Sequence, residues 1–196
     1  MYQKLLADAR LPTLLREVDR LFAEEVAKAG CRSCGAVLHR AEYPRGPRGP
    51  WLFGREHASR ESYCCADCRK RTTPPSALFF GRRWYVAPVV VLVAALVHGP
   101  TPPRLSTICE VWAVSADTVR AWRRWWRVAF AESDFWKGAR GQLAQPVSAA
   151  ALPFSLTVLF KRSAELSPPD LLRLLCWLSP VTTRPWLQSQ AFCGTV

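Results

Sequence analysis

Two cysteine pairs, Cys31-x2-Cys34 and Cys65-x2-Cys68, stand thirty residues apart in this 196-residue chain. Two C-x-x-C turns, each on its own hairpin, deliver four thiolates to one tetrahedral ion. Zinc accepts them because it has no geometric preference of its own. Each turn must be tight enough to aim backbone N–H groups at sulfur, and Gly35, directly after Cys34, has the freedom to allow it. Arg69, Lys70 and Arg71 follow the second pair, where positive charge offsets that of the thiolates. The competing readings are four free cysteines in a small core, or an iron–sulfur or redox centre. Cys64 and Cys65 are adjacent and compete for one ligand position. Cys65 gives the two-residue spacing to Cys68, and Tyr63 then shares its strand face. His39 and His57 are either substitute ligands or exposed polar residues, while Cys109, Cys176 and Cys193 read as small buried or terminal thiols. A unit this small cannot build a large core, so the metal is expected to supply much of its folding energy.

A metal rather than disulfides requires a reducing compartment. Residues 1–25 mix acids and bases with no apolar h-region, so no secretory signal is expected. The longest apolar run, Trp84–Val97, contains Pro88 and is shorter than the roughly 18–20 residues that span a bilayer. The expectation is a cytoplasmic, nucleoid-associated protein with no membrane partner.

Charge adds the partner class. Twenty-seven Lys and Arg against fifteen Asp and Glu leave a net +12, nearly all of the basic side being arginine. Such an excess costs self-repulsion and fits a polyanionic partner. Residues 1–30 are neutral, with five groups of each sign, whereas residues 31–83 carry eleven basic and four acidic groups.

Leu14, Leu15, Val18, Leu21, Phe22 and Val26 recur at three- and four-residue steps and predict an amphipathic helix within residues 1–30, ending at Gly30. It either packs on the next module or pairs two chains. Residues 31–75 read as the zinc ribbon, with strands at Val37–Tyr43 and Ser62–Cys65 around a loop at Pro44–Pro50. Residues 76–140 read as helical, with helices at Trp84–Val97, Pro103–Trp112 and Ser115–Phe130. Residues 141–196 form a helical or partly ordered tail. There Leu152–Phe160 cannot be assigned from periodicity, and Ser167-Pro168-Pro169-Asp170 opens a short helix through Leu178. The fold class is mainly α with a small β zinc ribbon.

Residues 105–126 carry a helix-turn-helix pattern. Ile108, Trp112, Val114, Val119 and Trp122 occupy its apolar positions, Cys109 the small one, and Ser115 caps the second helix. The turn position that favours positive φ holds Ala113 instead of glycine, at a cost of roughly 1 kcal/mol. Val119, Trp122 and Trp126 face one way, while Arg120, Arg123, Arg124 and Arg127 line the outer faces. That helix is either a solvated charged surface or the occupant of an anionic groove. In a groove, Ser115, Ala116, Asp117, Arg120 and Arg124 are placed for bases, and Arg123 and Arg127 for phosphates. Arg104, Arg82 and Arg83 add backbone contacts.

Three segments occur in this order: Cys31-Arg32-Ser33-Cys34-Gly35, Tyr63 through Arg71, and Val114-Ser115 through Thr118-Val119. Together they resemble the DNA-binding N-terminal half of insertion-sequence transposases and of the short accessory proteins that regulate them. The resemblance spans about residues 31–130. It implies a ribbon plus a three-helix bundle that binds double-stranded DNA at element ends or an operator, partnered by a transposase catalytic subunit or a second copy. A full transposase of this kind continues into a ribonuclease H-like domain with three carboxylates for two metal ions. Only Glu165 and Asp170 follow Asp134 here, so a binding protein without strand transfer is expected, not an enzyme. The other classes are an RNA or non-specific nucleic-acid binder and a zinc-stapled protein adaptor.

Overall fold

The computed structural model describes residues 3–6, 8–41, 59–80, 85–96 and 100–183. The expected loop at 44–50 lies outside them, as do His57, Arg82, Arg83, Trp84, Val97 and Cys193.

A short helix α1 (Gln3–Leu6) precedes α2 (Arg10–Ala29). The small sheet follows with β1 (Leu38–Arg40), β2 (Tyr63–Cys65) and β3 (Arg71–Thr72), antiparallel in the order β1-β2-β3. A two-stranded ribbon, β4 (Phe79–Phe80) and β5 (Tyr85–Val86), leads into α3 (Ala87–Ala94). Then come α4 (Pro102–Trp112), α5 (Ala116–Trp125), a π-helical turn at Trp126–Phe130, α6 (Asp134–Ala139), α7 (Phe154–Phe160) and α8 (Pro168–Leu178). The chain is mainly helical with a small antiparallel sheet beside a cluster of four cysteines. Among the described residues, no helix is long and apolar enough to cross a membrane.

Local chemistry sets the helix ends. α3 and α4 each start with proline in the first two positions, where the missing N–H costs nothing. α8 starts in a capping box, in which Ser167 accepts from the Asp170 N–H and Asp170 accepts from the Ser167 N–H. α2 ends at Gly30, whose φ is +74°. A Cβ there would stand 2.9 Å from the Gly35 carbonyl oxygen, so only glycine fits without a shift.

Two apolar clusters divide the molecule. The larger takes in α1, the first half of α2, Ala77–Phe80, α3, the buried face of α5, and α7 and α8. α3 is buried all round, and Leu171, Leu174, Leu175 and Leu178 of α8 pack into the same cluster. The smaller consists of Ala23, Cys31, Leu38, Tyr63 and Cys65, flanked by Val26, Ala27 and Ala36. α2 contributes to both, so it is the rod that joins them.

The structure corrects several sequence expectations. On α2 the buried positions are Leu11, Pro12, Leu15, Asp19 and Ala23, while Leu14 and Leu21 are about half exposed. The buried face is rotated because a carboxylate belongs to it. Asp19 accepts hydrogen bonds from the Ser76 hydroxyl, from the Ala77 N–H at 2.6 Å and from the Leu78 N–H at 3.4 Å. The expected helix from Trp84 begins only at Ala87, because Tyr85 and Val86 pair with Phe80 and Phe79. The helix expected to run to Phe130 is α-helical only to Trp125. Of the first expected strand, Leu38–Arg40 pairs in the sheet, while Glu42 and Tyr43 lie outside the described residues, and the run around Leu152–Phe160 is helical from Phe154.

Candidate metal centre and basic helix

The four sulfurs of Cys31, Cys34, Cys65 and Cys68 lie within 4.8 Å of one another. Cys31 Sγ is 3.6 Å from Cys68 Sγ, and Cys34 Sγ is 3.4 Å from Cys65 Sγ. A disulfide needs about 2.05 Å, so none of these pairs is bonded. A tetrahedral ion with arms of about 2.3 Å holds its sulfurs about 3.8 Å apart, which matches the spacing found. The donor set therefore fits a tetrahedral thiophilic ion.

The two turns are built alike. Cys31 N–H donates to Ala36 O at 2.9 Å, and Cys65 N–H donates to Lys70 O at 3.0 Å, five residues on in both cases. The residue after the second cysteine is left-handed in each, Gly35 at φ +76° and Arg69 at φ +58°. Ala66 N–H donates to Val37 O at 3.0 Å, and Lys70 Nζ donates to Ser33 Oγ at 3.3 Å, tying one turn to the other. Arg69 hid this likeness in the sequence, since glycine marks the position only in the first turn.

Ionisation fits a cation site. The Ser33 and Cys34 N–H groups aimed at sulfur bring the Cys31 thiol down to about 6. Burial works against the ionised Cys65, but the Cys68 and Asp67 N–H groups and the neighbouring thiols outweigh it and lower that thiol too. At Cys68 the Lys70 N–H favours the thiolate. Burial and the three other sulfurs prevail and push the thiol up to about 12. Four thiolates packed this closely thus repel unless a cation sits among them.

Cys65, not Cys64, joins the cluster, and Tyr63 shares its buried face. Tyr63 Oη donates to the Ala23 carbonyl at 3.0 Å, fastening the sheet to α2. Cys64 faces the other way, in register with His39 on one side and Arg71 on the other. His39 is exposed on that outer face and does not reach the cluster. Arg69, Lys70 and Arg71 are exposed beside the second turn.

The second candidate surface is α5 and its approach. α4 ends at Ala113 in the left-handed conformation, φ +43° and ψ +46°, as expected for that turn position. Ser115 Oγ accepts from the Thr118 N–H at 3.2 Å and caps α5. Val119, Trp122, Trp125 and Trp126 are all buried to within about 1%. Their rings meet edge-on, with Trp125 and Trp126 centroids 4.8 Å apart and Tyr85 and Trp122 centroids 5.1 Å apart. Trp125 was missing from the expected stripe. The π-helical turn that starts at Trp126 carries the buried face on to Phe130, outside the 3.6-residue repeat.

Of the residues expected to contact a groove, Asp117, Arg120, Arg124 and Arg127 are exposed with Ser115, and Ala116 is half-buried at the helix start. Arg120 Nη1 lies 2.6 Å from Asp117 Oδ1. Arg123, expected among the phosphate contacts, is less exposed than the other three arginines. It is half-buried, and its Nη1 donates to the Leu96 carbonyl at 2.7 Å, just beyond the C-terminal end of α3. Burial and the nearby Arg127 both lower its pKa. Its position is explained by a carbonyl 27 residues away, which no local pattern reveals. Comparison with protein-family models, curated proteins and solved structures finds no match.

Proposed function

We propose that this chain is a zinc-stabilised protein that recognises double-stranded DNA by sequence. One observation carries the reading. α5 follows a left-handed turn and a serine cap, buries Val119, Trp122 and Trp125, and exposes Arg120 and Arg124 on the other side. A helix anchored by aromatics with guanidiniums outward suits the major groove, where arginine pairs with guanine edges and phosphates. In this reading the two α-helices around Ala113 act as a helix-turn-helix. Zinc on Cys31, Cys34, Cys65 and Cys68 holds the basic turns, and Arg69, Lys70 and Arg71 add phosphate contacts. Zinc supplies folding energy there, not catalysis. The motifs' resemblance to transposase-associated DNA-binding modules makes element ends or an operator the target class.

Binding to a selected duplex and to a random duplex, measured against salt, tests the reading. Arg124→Ala is expected to lose about 1–3 kcal/mol on the selected site and far less on the random one. Arg127→Ala is expected to weaken both equally and to lower the salt slope by roughly 1. Equal losses from both variants on both duplexes would contradict sequence reading by α5. Tighter binding to single-stranded RNA than to duplex DNA would favour the RNA class instead.

A further inference from the structure

The arginines on and after α5 do not share one environment. Arg123 is held by the Leu96 carbonyl, whereas Arg124 and Arg127 are exposed. Of these four, Arg120 alone is paired to an acid on its own helix. Its Nη1 sits 2.6 Å from Asp117 Oδ1 one turn earlier, and both side chains stand largely in solvent, at 66% and 87% exposure. A pair that exposed contributes little to stability. At the front of a helix that approaches DNA, its acid also repels phosphate. Asp117 suits the positive end of α5 as a first-turn acid, but neither stability nor affinity requires that it also hold Arg120.

We infer that Asp117 is a positioning residue that fixes the guanidinium of Arg120 and so sets the sequence specificity of α5. This rests on the duplex-binding reading above. A free arginine side chain loses rotamer entropy when it is fixed, and it reaches phosphate as readily as a base. Held by Asp117 at one nitrogen, Arg120 keeps its other N–H donors for an acceptor edge such as guanine O6 and N7. The acid also discourages Arg120 from settling on phosphate. Discrimination between bases rises while affinity for any duplex falls, a trade made by a repulsive element.

The test uses the full metal-loaded chain, a duplex selected from a random library, and a random duplex of equal length. In Asp117→Ala the ratio of selected to random affinity is expected to fall about tenfold, within the roughly 5- to 150-fold that one bidentate base contact supplies. Binding to the random duplex is expected to hold or rise. The salt slope should steepen by about 0.9 as Arg120 turns to a phosphate. Asp117→Asn keeps the shape without the charge and should retain part of the ratio. Adding Arg120→Ala to Asp117→Ala should change the ratio little further. An unchanged ratio overturns the inference. So does a parallel loss on both duplexes that tracks a lower Tm, because that marks a role in the first turn of the helix alone. A native chain that selects no duplex overturns the DNA reading beneath it as well, so the two failures are distinguishable.

Discussion

The two apolar clusters along α2 differ in what holds them. Among the described residues, the cluster around the cysteines has five buried residues, two of them the sulfur donors Cys31 and Cys65. The other has thirty-one, and tryptophan and phenylalanine rings from α5, the π-helical turn and α6 pack in T-shaped and tilted contacts within it. Apolar burial at about 25 cal/mol per Å² therefore stabilises the second cluster far more than the first. The two clusters on one helix thus differ in their apolar burial, and in the proposed reading an ion makes up the difference in the smaller one. The basic groups are mounted accordingly. Arg69, Lys70 and Arg71 depend on the cysteine turns, whereas Arg120, Arg124 and Arg127 depend on the aromatic core.

The sharpest way to break the contrast is to remove the ion. A strong chelator, or Cys65→Ser, should abolish amide protection across β1, β2 and β3 and in the last turns of α2. Binding of a structural zinc contributes on the order of 10–16 kcal/mol in small domains. Amides in α3, α5 and α8 should stay protected. Hydrogen exchange read by mass spectrometry checks both halves. Loss of protection throughout would mean that the modules share one stability.

The cysteine spacing, the cap at Ser115 and the left-handed turn at Ala113 were legible in the sequence because each is a local requirement. Asp19 and Arg123 were not. Their partners lie 57–59 and 27 residues away, and periodicity counts a charged side chain as facing solvent. The ribbon β4-β5 was hidden for a similar reason, since its two-residue strands lie inside apolar runs that read equally as helix.

The junction gives the next largest effect. Burial raises the Asp19 carboxyl to about 6, against the hydrogen bonds from Ser76 and Ala77 and the charge of Arg60. Burial likewise brings the Arg60 guanidinium down to about 10. A carboxyl whose folded value lies above its unfolded value of about 3.9 costs stability once it ionises. The Asp19 contribution is therefore greatest below about pH 4 and is lost as pH rises through 6, by on the order of 3 kcal/mol. Asp170 gives the opposite slope. Burial opposes its ionisation, but bonds from Ser167 and the Arg162 N–H hold it low, so its contribution is lost as pH falls. The difference in Tm between the native chain and Asp19→Asn, followed from pH 4 to 7, isolates the first. A flat difference would place Asp19 outside the buried junction.

The smallest effects separate strain from crowding at the turns. Gly30→Ala meets both a positive φ and the Gly35 oxygen, whereas Gly35→Ala meets only the positive φ because the space beside it is open. Gly35→Ala should cost about 1 kcal/mol and Gly30→Ala more. Ala113→Gly should relieve strain in the other module, by at most about 1 kcal/mol after the entropy of glycine is counted. Thermal melts with the metal bound rank the three. Equal losses at Gly30 and Gly35 would contradict the close approach.

The central claim is that the aromatic-backed helix reads duplex DNA. Enrichment of bound sequences from a random duplex library by the metal-loaded chain tests it most directly. The expected result is one recurring motif, lost when Arg120 and Arg124 are both replaced by alanine. A bound pool with no shared motif, or a motif unchanged by that double replacement, would contradict it.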